Sequence, residues 1–229
     1  MGARPGGKRD IGAAARHDGG VPRDLADELP LRSRTTRRWA EAALADPLAL
    51  LDDHAHLERK AAANALALWT RAPVELDDDA HATWTRVLAS VARDEAEHLA
   101  LVLRVLARRG GVPSRRHRNA YAAALHRHVR TGAGRDEVVD HLLVCALIEA
   151  RSCERFEALA AAATDEELRA LFHGLCASER GHHRVFLELA AAVAGPEAVR
   201  ARFDALLGLE ALDLAAQPPG PRVHAGEPR

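Results

Sequence analysis

Apolar positions recur every three to four residues through most of the chain between residues 47 and 214, the spacing of one face of an α-helix. Leu51, His54, Glu58, Ala61, Ala65 and Leu68 fall on one stripe, and Leu88, Val91, Glu95, His98, Val102 and Val105 on another. The pattern predicts four long helices. The first runs from about Pro47, a favoured first helical position, to Thr70, where Pro73 stops it. The second runs from Asp78 to Arg109 and closes at Gly110-Gly111-Val112-Pro113. The third spans Asp136 to Ala163. The fourth is capped by Thr164 or Asp165 and ends near Ala194, before Gly195-Pro196. Shorter helices are predicted over Thr35–Ala45, ended by the Asp46-Pro47 step, and over the basic segment Ser114–Arg130. A last one, over Pro196–Leu214, packs on the outside. Residues 1–34 read as a flexible N-terminal extension, 35–214 as one helical bundle domain, and 215–229, with Pro218-Pro219-Gly220-Pro221, as a flexible C-terminal tail.

Composition sharpens this to an all-α class. The chain is 48% hydrophobic but only 3% aromatic and visibly rich in Ala, Leu and Arg, which favours closely packed helices over a β-sandwich. A net charge of −1 gives the whole molecule no bias toward nucleic acid or membrane, so any basic surface is local. No stretch approaches roughly 18 consecutive apolar residues, and the N-terminus lacks the apolar core of a secretory signal. Three cysteines with no Cys-x-x-Cys fit reduced thiols in a cytoplasmic protein.

The chemistry lies in carboxylates placed where carboxylates are costly. Glu149 follows the apolar run Leu142–Ile148, and a buried charge there demands a cationic partner. Glu179 and His182 follow thirty residues on, and Glu58 precedes Glu95 and His98, so the order is Glu, Glu-x-x-His, Glu, Glu-x-x-His. Residues three apart share a helix face. Each pair therefore presents an oxygen and a nitrogen to one point, as in helical bundles that hold a two-metal centre. Four carboxylates with two imidazoles suit iron or manganese better than a thiolate zinc site.

Other positions have plainer readings. His54 shares the Glu58 face and is read as a partly exposed histidine, with orientation of a ligand as the minority reading. Glu97 and His183 point about 100° away from their neighbouring motif residues. Arg151 and Arg155 are placed to pair with Glu154 and Glu157, with Arg155 reaching a metal-bound carboxylate as the alternative. Cys145 and Cys153 flank Glu149 on its own face and read as small buried side chains, with a role close to the metal as the minority reading. Arginines cluster from Arg104 to Arg118 and again from Arg127 to Arg135; Arg115, Arg116 and Arg118 are the candidate contacts to an RNA backbone, with an ordinary solvated face as the equal alternative.

Four stretches together resemble the MiaE-type tRNA hydroxylases: Asp53–Ala62, Asp94-Glu95-Ala96-Glu97-His98, Ile148-Glu149-Ala150-Arg151-Ser152-Cys153-Glu154-Arg155-Phe156, and Ser178-Glu179-Arg180-Gly181-His182. The resemblance covers roughly Leu44 to Leu189, and the Ile148–Phe156 string is its most specific part. It implies a ferritin-like four-helix bundle with additional peripheral helices, and metal ligands at Glu58, Glu95, His98, Glu149, Glu179 and His182. It further implies two iron ions, O2 as co-substrate and an external electron donor or reductase. The implied activity is hydroxylation of the isopentenyl group of 2-methylthio-N6-isopentenyladenosine next to the tRNA anticodon, which makes the anticodon loop the partner. The ligand pattern alone also fits a ferritin-like iron-storage or peroxide-scavenging protein. A metal-free helical interaction protein whose buried charges pair among themselves stays open too.

Overall fold

In a computed structural model the described residues, 29–228, form seven helices with no strand among them. They are α1 (Arg37–Leu44), α2 (Pro47–Trp69), α3 (Asp78–Arg108), α4 (Ala120–His126), α5 (Arg135–Ala162), α6 (Glu166–Ala194) and α7 (Pro196–Ala215). The starts follow capping chemistry: Thr36, Asp46, Asp77, Asn119 and Asp165 each accept a hydrogen bond from an early backbone N–H of the helix they open. Gly195, at φ 84°, reverses the chain between α6 and α7.

Four long helices make the bundle. α2 packs along α3 and α5 along α6, and α3 also meets α6. α5 is the central rod, buried over nearly its whole length from Val139 to Leu159. Its contacts reach α1, α4, α6 and α7. One face of α5 looks into the four-helix core. The opposite face carries Arg151, which is fully buried and donates to both carboxylate oxygens of Glu210 on α7 at 2.8 and 3.0 Å and to Glu154 at 2.9 Å. Glu154 in turn accepts from the Thr35 backbone N–H and hydroxyl at 2.6 Å each. Arg155 lies over the Trp39 ring at 3.8 Å. Part of the Ile148–Phe156 string therefore clasps the outer helices. Arg155 also comes within 3.9 Å of Glu154, but Glu157 meets neither Arg151 nor Arg155; one helical turn from Glu154, it faces α6 and accepts from Arg180 at 2.7 Å.

Three expectations change. The helix predicted over 114–130 shrinks to α4, because polar side chains of α2 capture the backbone and side chains of residues 114–117. Asp52 accepts from the Ser114 N–H at 2.8 Å, the His56 ring N–H donates to the Ser114 carbonyl at 2.9 Å, and Asp53 accepts from His117 at 2.6 Å. The C-terminal segment is no free tail. It folds back over the bundle, with Val223 fully buried and its N–H donating to Asp53 at 2.9 Å. A Cβ on Gly226 would sit 2.0 Å from the Gln217 carbonyl oxygen, so only glycine permits this closure. The predicted N-terminal extension falls mostly outside the described residues, but its last part packs down: Leu29 and Leu31 are buried in the core.

Candidate metal centre and adjoining cavity

Each long helix of the bundle delivers its acidic residue to the same level. α2 brings Glu58, α3 brings Glu95 and His98, α5 brings Glu149, and α6 brings Glu179 and His182. The five other than His98 are buried, and the His98 side chain is only 13% exposed. Two groups form: Glu58, Glu95, His98 and Glu179, and Glu95, Glu149, Glu179 and His182. Within each, the ligand-capable atoms lie within 4.8 Å of one another. Glu95 and Glu179 belong to both, as bridging carboxylates would. Glu58 with His98 completes one side and Glu149 with His182 the other.

The residues fit a pair of cations on three grounds. First, the site holds four carboxylates against two imidazoles, so it stays acidic even with both rings protonated. Second, Glu95 Oε1, His98 Nδ1, Glu179 Oε2 and His182 Nδ1 are buried with no hydrogen-bond partner. His182 Nδ1 lies 2.7 Å from Glu95 Oε1, and the direction is wrong for a hydrogen bond. Ring nitrogens and carboxylate oxygens brought together with no hydrogen bond between them are what a metal ion satisfies. Third, the electrostatics without a cation are strained in the expected sense. Burial, then the charge of Glu179, pushes Glu95 up to about 7. Burial, then Glu179 and Glu95, pushes Glu149 well above the carboxylate range. Burial disfavours charge on the imidazoles, yet Glu179 and its neighbours raise His98 to about 12 and His182 to about 10.

His54 is fully buried, correcting its reading as partly exposed, and its ring N–H donates to Glu58 Oε1 at 2.5 Å. It is wedged beside Phe156, centroids 4.8 Å apart. It is a positioning residue, fixing which Glu58 oxygen faces the centre. Asp94 approaches His182 Nε2 at 3.6 Å on the side away from the carboxylates. Glu97 is exposed and outside the site, as expected, and the His183 ring hydrogen-bonds to the Ala146 carbonyl at 2.8 Å.

A cavity of about 380 Å³ opens on the carboxylate side of this cluster, with Glu58, Glu95, Glu149 and Glu179 in its wall and neither ligand imidazole. Leu57, Ala61, Ala122, Ala123, Ile148, Phe156 and Phe186 make most of the lining apolar, while Lys60, Asn64, Asn119, His126 and Ser152 supply polar points. Cys145 also faces it and accepts from the Asn64 amide at 3.0 Å.

His224 in the wall was missed from sequence, because it sits in a segment that reads as tail. Its one signal was its place between Val223 and Ala225 in an otherwise polar stretch. It stacks on Tyr121, centroids 4.5 Å apart, and lies 3.3 Å from the Ser152 hydroxyl. Burial first, then Arg155 and Arg151, outweigh the pull of Asp53 and lower its pKa from 6.5 to about 3. A histidine kept neutral in the fold adds stability above pH 6.5 that is lost as pH falls toward 3. Between pH 6.5 and 5 the loss is roughly 2 kcal/mol, from about 1.4 kcal/mol per unit. Thermal denaturation should show the parent losing stability relative to His224→Leu over that interval; parallel curves would refute the burial of a neutral ring.

Arg115, Arg116 and Arg118 are exposed on the loop that leads into α4, whose last residue, Asn119, lines the cavity, and they form no ion pair among the described residues. The wider basic cluster is partly consumed by the fold: Arg108 and Arg109 pair with Glu167 and Asp165, and Arg130 with Asp136 and Asp140. No described helix is long and apolar enough to cross a membrane.

The family profile described as tRNA-(MS[2]IO[6]A)-hydroxylase (MiaE) matches residues 26–225. The tRNA 2-(methylsulfanyl)-N(6)-isopentenyladenosine(37) hydroxylase of Pseudomonas putida is 41% identical over 197 residues, covering 85% of this chain and 91% of that one. The Salmonella typhimurium protein of the same name is 38% identical over 109 residues, 47% of this chain and 39% of its own. Among solved structures, a Synechococcus protein titled as having aldehyde deformylating oxygenase activity superposes with a TM-score of 0.78 at 34% identity, covering 86% of this chain and 96% of that one. With its ferritin-like bundle and its Glu and His clusters compatible with iron, the chain belongs to the MiaE family of tRNA hydroxylases.

Proposed function

We propose that this protein is an O2-dependent non-haem di-iron monooxygenase. It hydroxylates the isopentenyl group of 2-methylthio-N6-isopentenyladenosine in tRNA, next to the anticodon, using two irons held by Glu58, Glu95, His98, Glu149, Glu179 and His182. The observation that carries this reading is the cavity. It is largely apolar, ends on the carboxylates of the cluster, and has Asn119 in its wall, the last residue of the loop carrying three exposed arginines. An iron-storage or peroxide-scavenging protein shares the cluster but needs neither the cavity nor the basic loop.

Iron held there and reduced by an external donor would supply, with O2, the oxidant for an allylic C–H bond that side chains lack. The chain's own residues do the rest. Leu57, Ala61, Ile148 and Phe186 take up the prenyl tail and exclude water around it. Asn64, Asn119 and Ser152 offer hydrogen bonds to the edge of a base, which is read most easily when splayed from a single-stranded loop. His54 keeps Glu58 in one orientation through its Nε2–H.

The direct test incubates the iron-reconstituted, reduced protein with prenylated, unhydroxylated tRNA and O2, followed by mass spectrometry of the nucleosides. Hydroxylated nucleoside in proportion to enzyme supports the reading, and its absence with two irons bound per chain sinks it. A second expectation concerns the cavity. Ala61→Trp extends into open space, so iron content should stay at the parent level while hydroxylation falls by at least about 10-fold, through KM first. Unchanged kinetics would place the substrate elsewhere.

A further inference from the structure

A second cluster of metal-ligating and nucleophilic groups lies outside the centre, between α5 and α6. Cys153 Sγ and Cys176 Sγ lie 2.7 Å apart, closer than two unbonded sulfurs comfortably sit, and Glu157 joins them. Cys153 is fully buried, with the Cys176 carbonyl oxygen 3.3 Å from its sulfur; Cys176 is half-buried and its thiol approaches Glu157 Oε1 at 3.5 Å. Glu157 is held by Arg180 at 2.7 Å. An open groove of about 490 Å³, walled by Glu157, Ala160, His173, Cys176 and Arg180, brings solvent to Cys176 but not to Cys153.

We propose that Cys153 and Cys176 form a reversible dithiol–disulfide site, oxidised by peroxide through the groove, with Cys176 as the attacking thiol and Cys153 as the resolving one. A metal ion is the competing occupant, and Arg180 argues against it. The guanidinium occupies the Glu157 oxygen a third ligand would need and repels a cation, leaving two sulfurs where zinc takes four ligands. The asymmetry of the pair sets the roles. The Cys153 thiol hydrogen bond lowers the Cys176 pKa despite burial, while Cys176 and burial together raise that of Cys153. The thiolate, which is the nucleophile, therefore forms on the reachable sulfur.

In the first step the Cys176 thiolate attacks one peroxide oxygen and the O–O bond breaks. The departing oxygen leaves as water, taking a proton, and Cys176 becomes a sulfenic acid. In the second the Cys153 sulfur attacks the Cys176 sulfur, the S–O bond breaks, and hydroxide leaves as water with the Cys153 proton. Two thiols lose two electrons, one peroxide becomes two waters, and an external thiol reverses the bond by exchange. The disulfide ties α5 to α6 about one turn from Glu149 and Glu179, the residues those helices contribute to the centre.

The test treats the reduced full-length protein with one equivalent of hydrogen peroxide, then alkylates and maps peptides. The expected result is loss of two of the three thiols, a mass loss of two hydrogens, a linked Cys153–Cys176 peptide, and full recovery with dithiothreitol, while Cys145 stays alkylatable. Cys145→Ser keeps the link. Cys153→Ser stops at a dimedone-reactive Cys176; should that variant fail to fold, the parent peptide map decides alone. Three thiols surviving peroxide, a link through Cys145, or Cys176 oxidised beyond sulfenic acid without a link would each overturn the proposal. So would one zinc per chain shielding both thiols from alkylation.

Discussion

Glu149→Ala abolishes hydroxylation, by at least about 100-fold, and lowers iron occupancy while leaving helix content near that of the parent. The magnitude exceeds the 10- to 100-fold typical for losing a group that merely orients a ligand. The reason is position: Glu149 completes the second group together with His182 and the shared Glu95 and Glu179, and it stands in the cavity wall. The fold tolerates the change because this carboxylate forms no ion pair with a Lys or Arg side chain among the described residues. Burial and the charges of Glu179 and Glu95 raise its pKa, so without metal it costs stability above the ordinary carboxylate range. Glu149→Gln, which keeps the volume, should therefore give a metal-free protein at least as stable as the parent at pH 8. Circular dichroism, iron analysis and turnover together check the prediction. Full activity in either variant would remove Glu149 from the ligand set, and a collapsed metal-free Glu149→Gln would mean the residue holds the fold instead.

Alanine at Arg115, Arg116 and Arg118 together should raise the Kd for tRNA by at least about 10-fold near physiological salt, with iron content and turnover at saturating tRNA unchanged. These three stand on a loop pinned to α2 by Asp52, Asp53 and His56, so the charges are presented at a fixed place next to Asn119 of the cavity wall. Contacts to single-stranded phosphate release about 0.7 counterion each, so the slope of log affinity against log salt should become shallower by about 2. A slope identical to the parent's would return the loop to ordinary solvated surface. Arg108, Arg109 and Arg130 predict no comparable effect, since carboxylates of the fold already neutralise them.

The six clustered residues were legible because helix periodicity is a local property. Glu95 and His98, or Glu179 and His182, share a face wherever the helix goes, and an acid after the apolar run Leu142–Ile148 announces a buried charge. Helix limits were legible for a similar reason, since Asp46-Pro47, Gly110-Gly111-Val112-Pro113 and Asp165 act within one turn of themselves. Composition likewise settled the all-helical class.

What the sequence could not settle depends on which distant segments meet. His54 reads as exposed until α5 and α6 close Phe156 and Phe172 over it. The segment carrying His224 reads as solvated until Asp53, 170 residues earlier, captures the Val223 N–H. Arg151 and Glu154 look like a local pair, and only α7 and the start of the chain turn them into a buried clasp. Cys153 and Cys176 carry no spacing motif, because their juxtaposition comes from the packing of two helices. The chain alone determined the helices, their inward faces and the order of the acids. The tertiary structure decided the cavity, the strap over it and the paired thiols, because these are contacts between segments whose local sequences carry no record of one another.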